Sequence, residues 1–215
     1  MNCIIICAGE ATRWNNHLGV PKHLIEVDGE TILQRTVRLI RKYCNADTKI
    51  YIVVKNLKDK RYFVEGSATV CADLETRNKD ADKFLSSRHL WSNDSRTIVF
   101  YGDVWFSDDA MKTIIKHKED EWVLFANKDE CFAQSFYPKD KAEHLKALES
   151  VRDMHCSGDI GRCGGWEHYR KMNGYPVREH KYGKRFFLID DLTDDFDYPK
   201  DYDEWIKRYK ESKKS

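Results

Sequence analysis

Five apolar runs of strand length, separated by segments of helical periodicity, govern what this chain can fold into. They are "NCIIIC" at residues 2–7, "KIYIVVK" at 49–55, "ATVCAD" at 68–73, "RTIVFYGDVWF" at 96–106 and "EWVLFAN" at 121–127. Runs that are β-branched and almost wholly apolar suit strands buried on both faces, as in a parallel sheet covered by helices. Between them lie helical segments. Thr31 is placed to cap a helix whose apolar face is Ile32, Leu33, Val37, Leu39 and Ile40. Residues 80–91 read as a second helix, and 108–120 as a third with acids first and bases last, matching the helix dipole. "LIEV" with the following Asp-Gly reads as a short strand and turn. The alternation implies an α/β fold: one Rossmann-like domain over residues 1–215, with a mostly parallel mixed sheet flanked by helices.

Beyond residue 130 the alternation weakens. Residues 139–151 look helical, "CSGDIGRCGGWEHY" reads as a glycine-rich loop, 184–191 as a strand, and "YPKDYDEWIKRYKES" as a helix opened by proline. Thus residues of about 1–127 form the part expected to bind nucleotide, and about 128–190 the part left for a second substrate. No proline- or glycine-rich linker divides them, with four prolines and eleven glycines in the whole chain.

Charge narrows the function classes. The 37 basic and 36 acidic residues nearly cancel, so a nucleic-acid partner is not expected. No run approaches a membrane span, and "CIIIC" is too short for a signal peptide. With seven scattered cysteines, this favours reduced thiols in the cytoplasm. His155, Cys156, Cys163 and His168 have zinc-ligand chemistry but not zinc-site spacing, so a loop with small buried thiols is expected there instead.

Ligands of open α/β sheets bind beyond the carboxyl ends of strands, which marks three stretches. The first is "AGEATRW" followed by "PKH": Gly9 permits close backbone approach, Arg13 offers a planar fork for phosphate oxygens, and Lys22 adds a second cation. The second is "YGDVWF", where Asp103 ends an apolar strand and is a candidate Mg²⁺ ligand. The third is the acidic run "LIDDLTDDFDYPKDYDEW", from which one or two carboxylates could join Asp103.

"IICAGEATRW…PKHLIEVDGETIL" resembles the opening signature of nucleotidyltransferases with a glycosyltransferase-A-like fold, which join an NTP to a sugar or alcohol phosphate. "YGDVWF" is similar to the family's metal-binding aspartate segment, and "DDFDYPKDYDEW" to its closing segment, with Asp195, Asp197, Pro199 and Asp201 in register. The resemblance runs in order along nearly the whole chain.

It implies a Mg²⁺- or Mn²⁺-dependent transfer with loss of pyrophosphate. Asp103 and Asp197 would hold the metal, with Asp195 an alternative ligand, and Arg13 and Lys22 would be catalytic on the triphosphate. Ala8, Gly9, Glu10, Ala11, Asn78 and Gly102 would meet the nucleotide. For the acceptor, Lys181, Lys184 and Arg185 are candidate phosphate partners or plain surface charge, and Trp166 is either a stacking platform or a core residue. The partners expected are the NTP and a small phosphorylated acceptor; base, acceptor and homodimer formation stay open. Ala11 departs from the family's second loop glycine, and the hydrophobic residue after Arg13 is a bulky Trp14. Two alternatives stand beside this reading: a glycosyltransferase consuming a nucleotide sugar, and a non-catalytic nucleotide-binding relative. Asp103-Val104-Trp105 lacks the Asp-x-Asp usual in the former.

Overall fold

A computed structural model describes residues 1–9, 11–73 and 80–214, with backbone alone for 80–82. Its main sheet has seven strands. β1 (Asn2–Ile6) lies in its interior, paired in parallel with β4 (Lys49–Val54) on one side and β6 (Thr97–Tyr101), the middle strand, on the other. β5 (Ala68–Cys71) extends the sheet beyond β4. Beyond β6 come β9 (Cys131–Phe136), antiparallel to both neighbours, then β8 (Val123–Ala126), and β10 (Phe186–Leu188) parallel to β8. The chain leaves β1 first toward β4 and later returns to its other side as β6. That reversal opens a crevice at their carboxyl ends.

Period-two alternation divides the sheet's side chains between two cores. Cys3, Ile5, Ile50, Ile52, Ile98 and Phe100 face α1 (Ile32–Tyr43) and α3 (Asp108–Lys116). Ile4, Ile6, Val53 and Val99 face α2 (Asp80–Leu85), α4 (Lys141–Cys156) and α5 (Gly165–Met172). Helix α1 begins where the sequence places it. The Thr31 hydroxyl accepts from Gln34 N at 3.1 Å, and Gln34 Oε1 accepts from Thr31 N at 2.8 Å.

Two small ribbons complete the fold. β2 (Glu26–Val27) and β3 (Glu30–Thr31) form a hairpin before α1. β7 (Val104–Trp105) pairs antiparallel with β11 (Asp194–Asp195), so that Val104 faces Asp195. Helix α6 (Pro199–Ser212) then packs Trp205 and Tyr209 against Trp105, with Trp14, Ile25 and Phe196 in the same buried cluster.

The structure refines several boundaries. Residues 96–106 are two strands, because the chain turns at Gly102-Asp103. The helix expected over 80–91 ends at Leu85 and continues only as a short 3-10 turn at Arg88–Leu90. The glycine-rich segment expected as a loop contains the start of α5, capped by Glu167 accepting from Gly164 N at 2.9 Å. No helix is long and apolar enough to cross a membrane among the described residues.

Candidate active site

The site begins with a glycine. A Cβ on Gly102 would lie 2.5 Å from Cys7 Sγ and 2.6 Å from the Ile6 carbonyl, so only glycine lets β6 pass this close to the end of β1. Asp103 follows at the mouth of the crevice. The β7–β11 pairing then delivers the acidic segment from the far end of the chain, and Phe196 N donates to the Asp103 carbonyl at 3.3 Å. One carboxylate oxygen from each of Asp103, Asp195 and Asp197 falls within 4.8 Å of the others. This is the only such group of potential metal ligands among the described residues; His155, Cys156, Cys163 and His168 form none.

Both catalytic candidates from the first loop converge on these carboxylates. The Lys22 ammonium, buried beneath the loop, contacts Asp103 and donates to Asp197 Oδ1 at 2.9 Å. Arg13, more exposed, pairs with Asp197 Oδ2 at 2.6 Å and lies over the Tyr198 ring. Burial alone would push the Lys22 ammonium down, but the charges of Asp103 and Asp197 outweigh it and hold it well above the usual lysine range. Burial likewise opposes ionisation of Asp103, yet Lys22 and His23 overcome it and keep that carboxyl well below the usual range. Asp195 differs. It makes no ion pair among the described residues, and burial together with the neighbouring charges of Glu130, Asp103 and Asp197 pushes its carboxyl up. Three converging carboxylates, one of them uncompensated, are an oxygen-only donor set suited to a hard divalent cation such as Mg²⁺ or Mn²⁺.

The loop that carries Arg13 is held from below. Trp14 is 1% exposed, its indole N–H donates to the Val20 carbonyl at 2.8 Å, and it meets Tyr202 of α6 edge-on. The bulky residue thus fastens the loop to α6. Ala11 adopts φ +49°, the left-handed region in which glycine has no Cβ penalty. Ala8 and Gly9 follow β1 at the crevice. The Lys83 side chain passes 3.3 Å from where a Gly9 Cβ would sit, adding a cation that the sequence did not single out. Glu10 and Asn78, expected to meet the nucleotide, lie outside the described residues.

A cavity of about 310 Å³ extends from the three aspartates toward α5. Trp166 lines it, with its indole N–H bonded to the Asp129 carbonyl at 2.8 Å. Lys181, Lys184 and Arg185 do not line it. Lys181 lies over the Tyr175 ring, the Lys184 carbonyl accepts from Tyr169 Oη, and Arg185 pairs with Glu121 and Glu143. The cations that do line this cavity beyond the first loop are Arg162 and Arg170, and Glu130 lines it with them. Sequence reasoning missed these three, because they follow from α5 and the β8–β9 turn. A signal existed in "GGWEHYR", where glutamate three residues after Gly164 marks a helix start.

Comparison with known proteins agrees with this architecture. The model of the MobA-like NTP transferase domain matches residues 3–158. No curated protein sequence matches the chain. Among solved structures, the fold is similar to CTP:phosphocholine cytidylyltransferase from Streptococcus pneumoniae, at 14% identity and TM-score 0.57, covering 94% of this chain and 96% of that one. It is similar to a nucleoside-diphosphate-sugar pyrophosphorylase from Vibrio cholerae, at 15% identity and TM-score 0.60, covering 95% and 99%. A UDP-glucose pyrophosphorylase complexed with UDP-glucose gives TM-score 0.63 at 10% identity, covering 98% of each chain. With the family match spanning well over half of the chain and the sheet, crevice and acidic group in place, the chain belongs to the MobA-like NTP transferase domain family and is a nucleotidyltransferase.

Proposed function

We propose that this enzyme joins an NTP to a small phosphorylated acceptor in a divalent-metal-dependent reaction that releases pyrophosphate. The observation that carries the proposal is the meeting of Asp103, Asp195 and Asp197 beside Lys22 and Arg13 at the carboxyl end of the central strands. Carboxylates alone would repel a triphosphate. Cations alone would need no acids beside them. Together they suit a metal–nucleotide complex.

In this reading Asp103, Asp195 and Asp197 hold Mg²⁺ or Mn²⁺, which when bound neutralises phosphate charge and polarises the α-phosphorus. Arg13 and Lys22 turn from the aspartates toward the triphosphate oxygens and stabilise charge on the departing pyrophosphate. The loop around Ala8, Gly9 and Ala11 supplies backbone groups to the nucleotide, and Lys83 crosses over it. An acceptor phosphate oxygen is already a nucleophile, so no general base is required. It attacks the α-phosphorus, a P–O bond forms, and the bridging bond to the β-phosphate breaks. Catalysis is then alignment and electrostatics. The cavity beside Trp166 receives the acceptor, and its volume lies at the low end for small-molecule sites, which favours a compact one.

A thermal-shift series tests the reading. The four NTPs are compared with and without Mg²⁺, for the unaltered protein and for Asp195→Asn. One NTP should raise the midpoint in a Mg²⁺-dependent manner, by mass action on the native state, and Asp195→Asn should remove that dependence. A midpoint raised by a nucleotide sugar and by no NTP would instead indicate a glycosyltransferase.

A further inference from the structure

We propose that the acceptor is a phosphomonoester carrying a positively charged amine, and that Glu130 selects it. The inference rests on the nucleotidyltransferase reading and names the substrate class of that same site.

The cavity wall is chemically narrow. Its described lining consists of acids, bases, glycines, one cysteine and the rings of Tyr101, Trp166 and His180, with no serine, threonine, asparagine or glutamine. A sugar ring displays several neutral hydroxyls in fixed directions, and the only uncharged side-chain hydroxyl in the described lining is that of Tyr101. This wall offers charges and aromatic faces instead.

Most of those charges are already committed. Asp103 and Asp197 face Lys22 and Arg13, and Glu167 caps α5 while pairing with the buried Arg170. Asp195 belongs to the metal group. The carboxylates of exposed Asp129 and half-buried Glu130 line the cavity and make no hydrogen bond or ion pair with any described residue, and Glu130 is the one drawn in from solvent. A carboxylate held this way gains most from a cation supplied by the ligand.

Next to it stands an aromatic wall. Trp166 is fixed by the carbonyl of Asp129, the residue before Glu130, and is backed by His180 at 5.1 Å and Tyr182 at 6.2 Å between ring centroids. A carboxylate and an indole lining one cavity are groups that together can receive an ammonium. For the other end of the ligand, Arg162 lines the same cavity with no hydrogen bond or ion pair among the described residues, and the Arg170 Nε has no partner either. Anion partners and a cation partner in one small cavity fit a short zwitterion.

Isothermal titration in the presence of Mg²⁺ tests this on the full chain. Each NTP is titrated first, and absence of binding by all four would defeat the nucleotidyltransferase reading and this inference with it. With the bound NTP present, the probes are aminoethyl phosphate, trimethylammonioethyl phosphate, the uncharged carbon isostere of the latter, and glucose phosphate. At least one ammonium compound should bind about tenfold tighter than the isostere and glucose phosphate. Glu130→Gln, an isosteric change, should erase that ratio in the protein with NTP bound. Arg162→Gln should weaken the ammonium compound and its isostere equally, leaving their ratio intact. If NTP binds but the isostere or glucose phosphate matches the ammonium compounds, if none of the four probes binds, or if Glu130→Gln keeps the preference, the inference fails while the parent reading stands.

Discussion

Replacing His168 by Phe should make the protein less sensitive to acid. His168 on α5 and His144 on α4 lie wholly inside the second core, their ring centroids 4.7 Å apart and surrounded by Phe84, Trp91, Trp122 and Phe136. Neither ring makes a hydrogen bond of normal geometry among the described residues. Burial pushes His168 from 6.5 down to about 3, and lowers His144 in the same way, with His168 adding to the effect. The sign follows from proton linkage. Below pH 6.5 the unfolded chain binds a proton at His168 that the folded chain refuses until about pH 3, so stability falls as pH drops through that window. At about pH 5 the unfolded state is favoured by about 1.5 pK units, or about 2 kcal/mol for this one ring. Glu130 shifts oppositely: burial and Asp197 raise it to about 7, so it takes up its proton earlier when folded and gains stability over the same descent. That contribution is common to both proteins and cancels in the difference. The assay is urea unfolding of both at about pH 7.5 and about pH 5. The unaltered protein should lose about 2 kcal/mol more than His168→Phe on acidification, whatever the absolute values. Equal losses would refute the assignment of a neutral, solvent-excluded ring.

Three further outcomes follow from the site. Ala11→Gly removes a Cβ from a left-handed residue and should stabilise the protein by up to about 1 kcal/mol, read as a rise of a few degrees in Tm. Lys22→Gln leaves two half-buried carboxylates short of a counter-charge; it should destabilise the metal-free protein by about 1–3 kcal/mol, and added Mg²⁺ should recover more stability than in the unaltered protein, both measurable by thermal melts. Gly102→Ala forces a methyl onto Cys7 and the Ile6 carbonyl and should cost at least about 1–3 kcal/mol, seen as a lowered urea midpoint.

The parts of the fold legible in the sequence were those with local causes. The strands β1, β4 and β6 announce themselves by β-branched runs, and α1 by Thr31 and its apolar stripe. β9 escaped because "CFAQSF" mixes Gln134 and Ser135 into a wholly buried strand; burial on both faces removes the alternation that would mark it. β11 has two residues and exists only through β7. In the site, Arg13, Lys22, Asp103 and Asp197 could be nominated from motifs and strand ends, and the structure brings them together. For Glu130, Arg162 and Arg170 only the helix start in "GGWEHYR" was legible. Their convergence depends on α5 meeting the β8–β9 turn, where the Trp166 indole bonds to the Asp129 carbonyl, and no local spacing encodes that.

The cluster of Trp14, Trp105, Phe196 and Trp205 ties chemistry to the order of synthesis. Arg13 and Lys22 leave the ribosome early, while Asp195, Asp197 and the helix that fastens them emerge after every strand of the main sheet. Until α6 docks, the first loop has no floor for Trp14 and Asp103 has no companion carboxylates. A nascent chain therefore lacks the Asp197 half of two ion pairs and has none of the complete site. Activity is an all-or-none property of the finished fold, gained only when its two most distant segments close on each other.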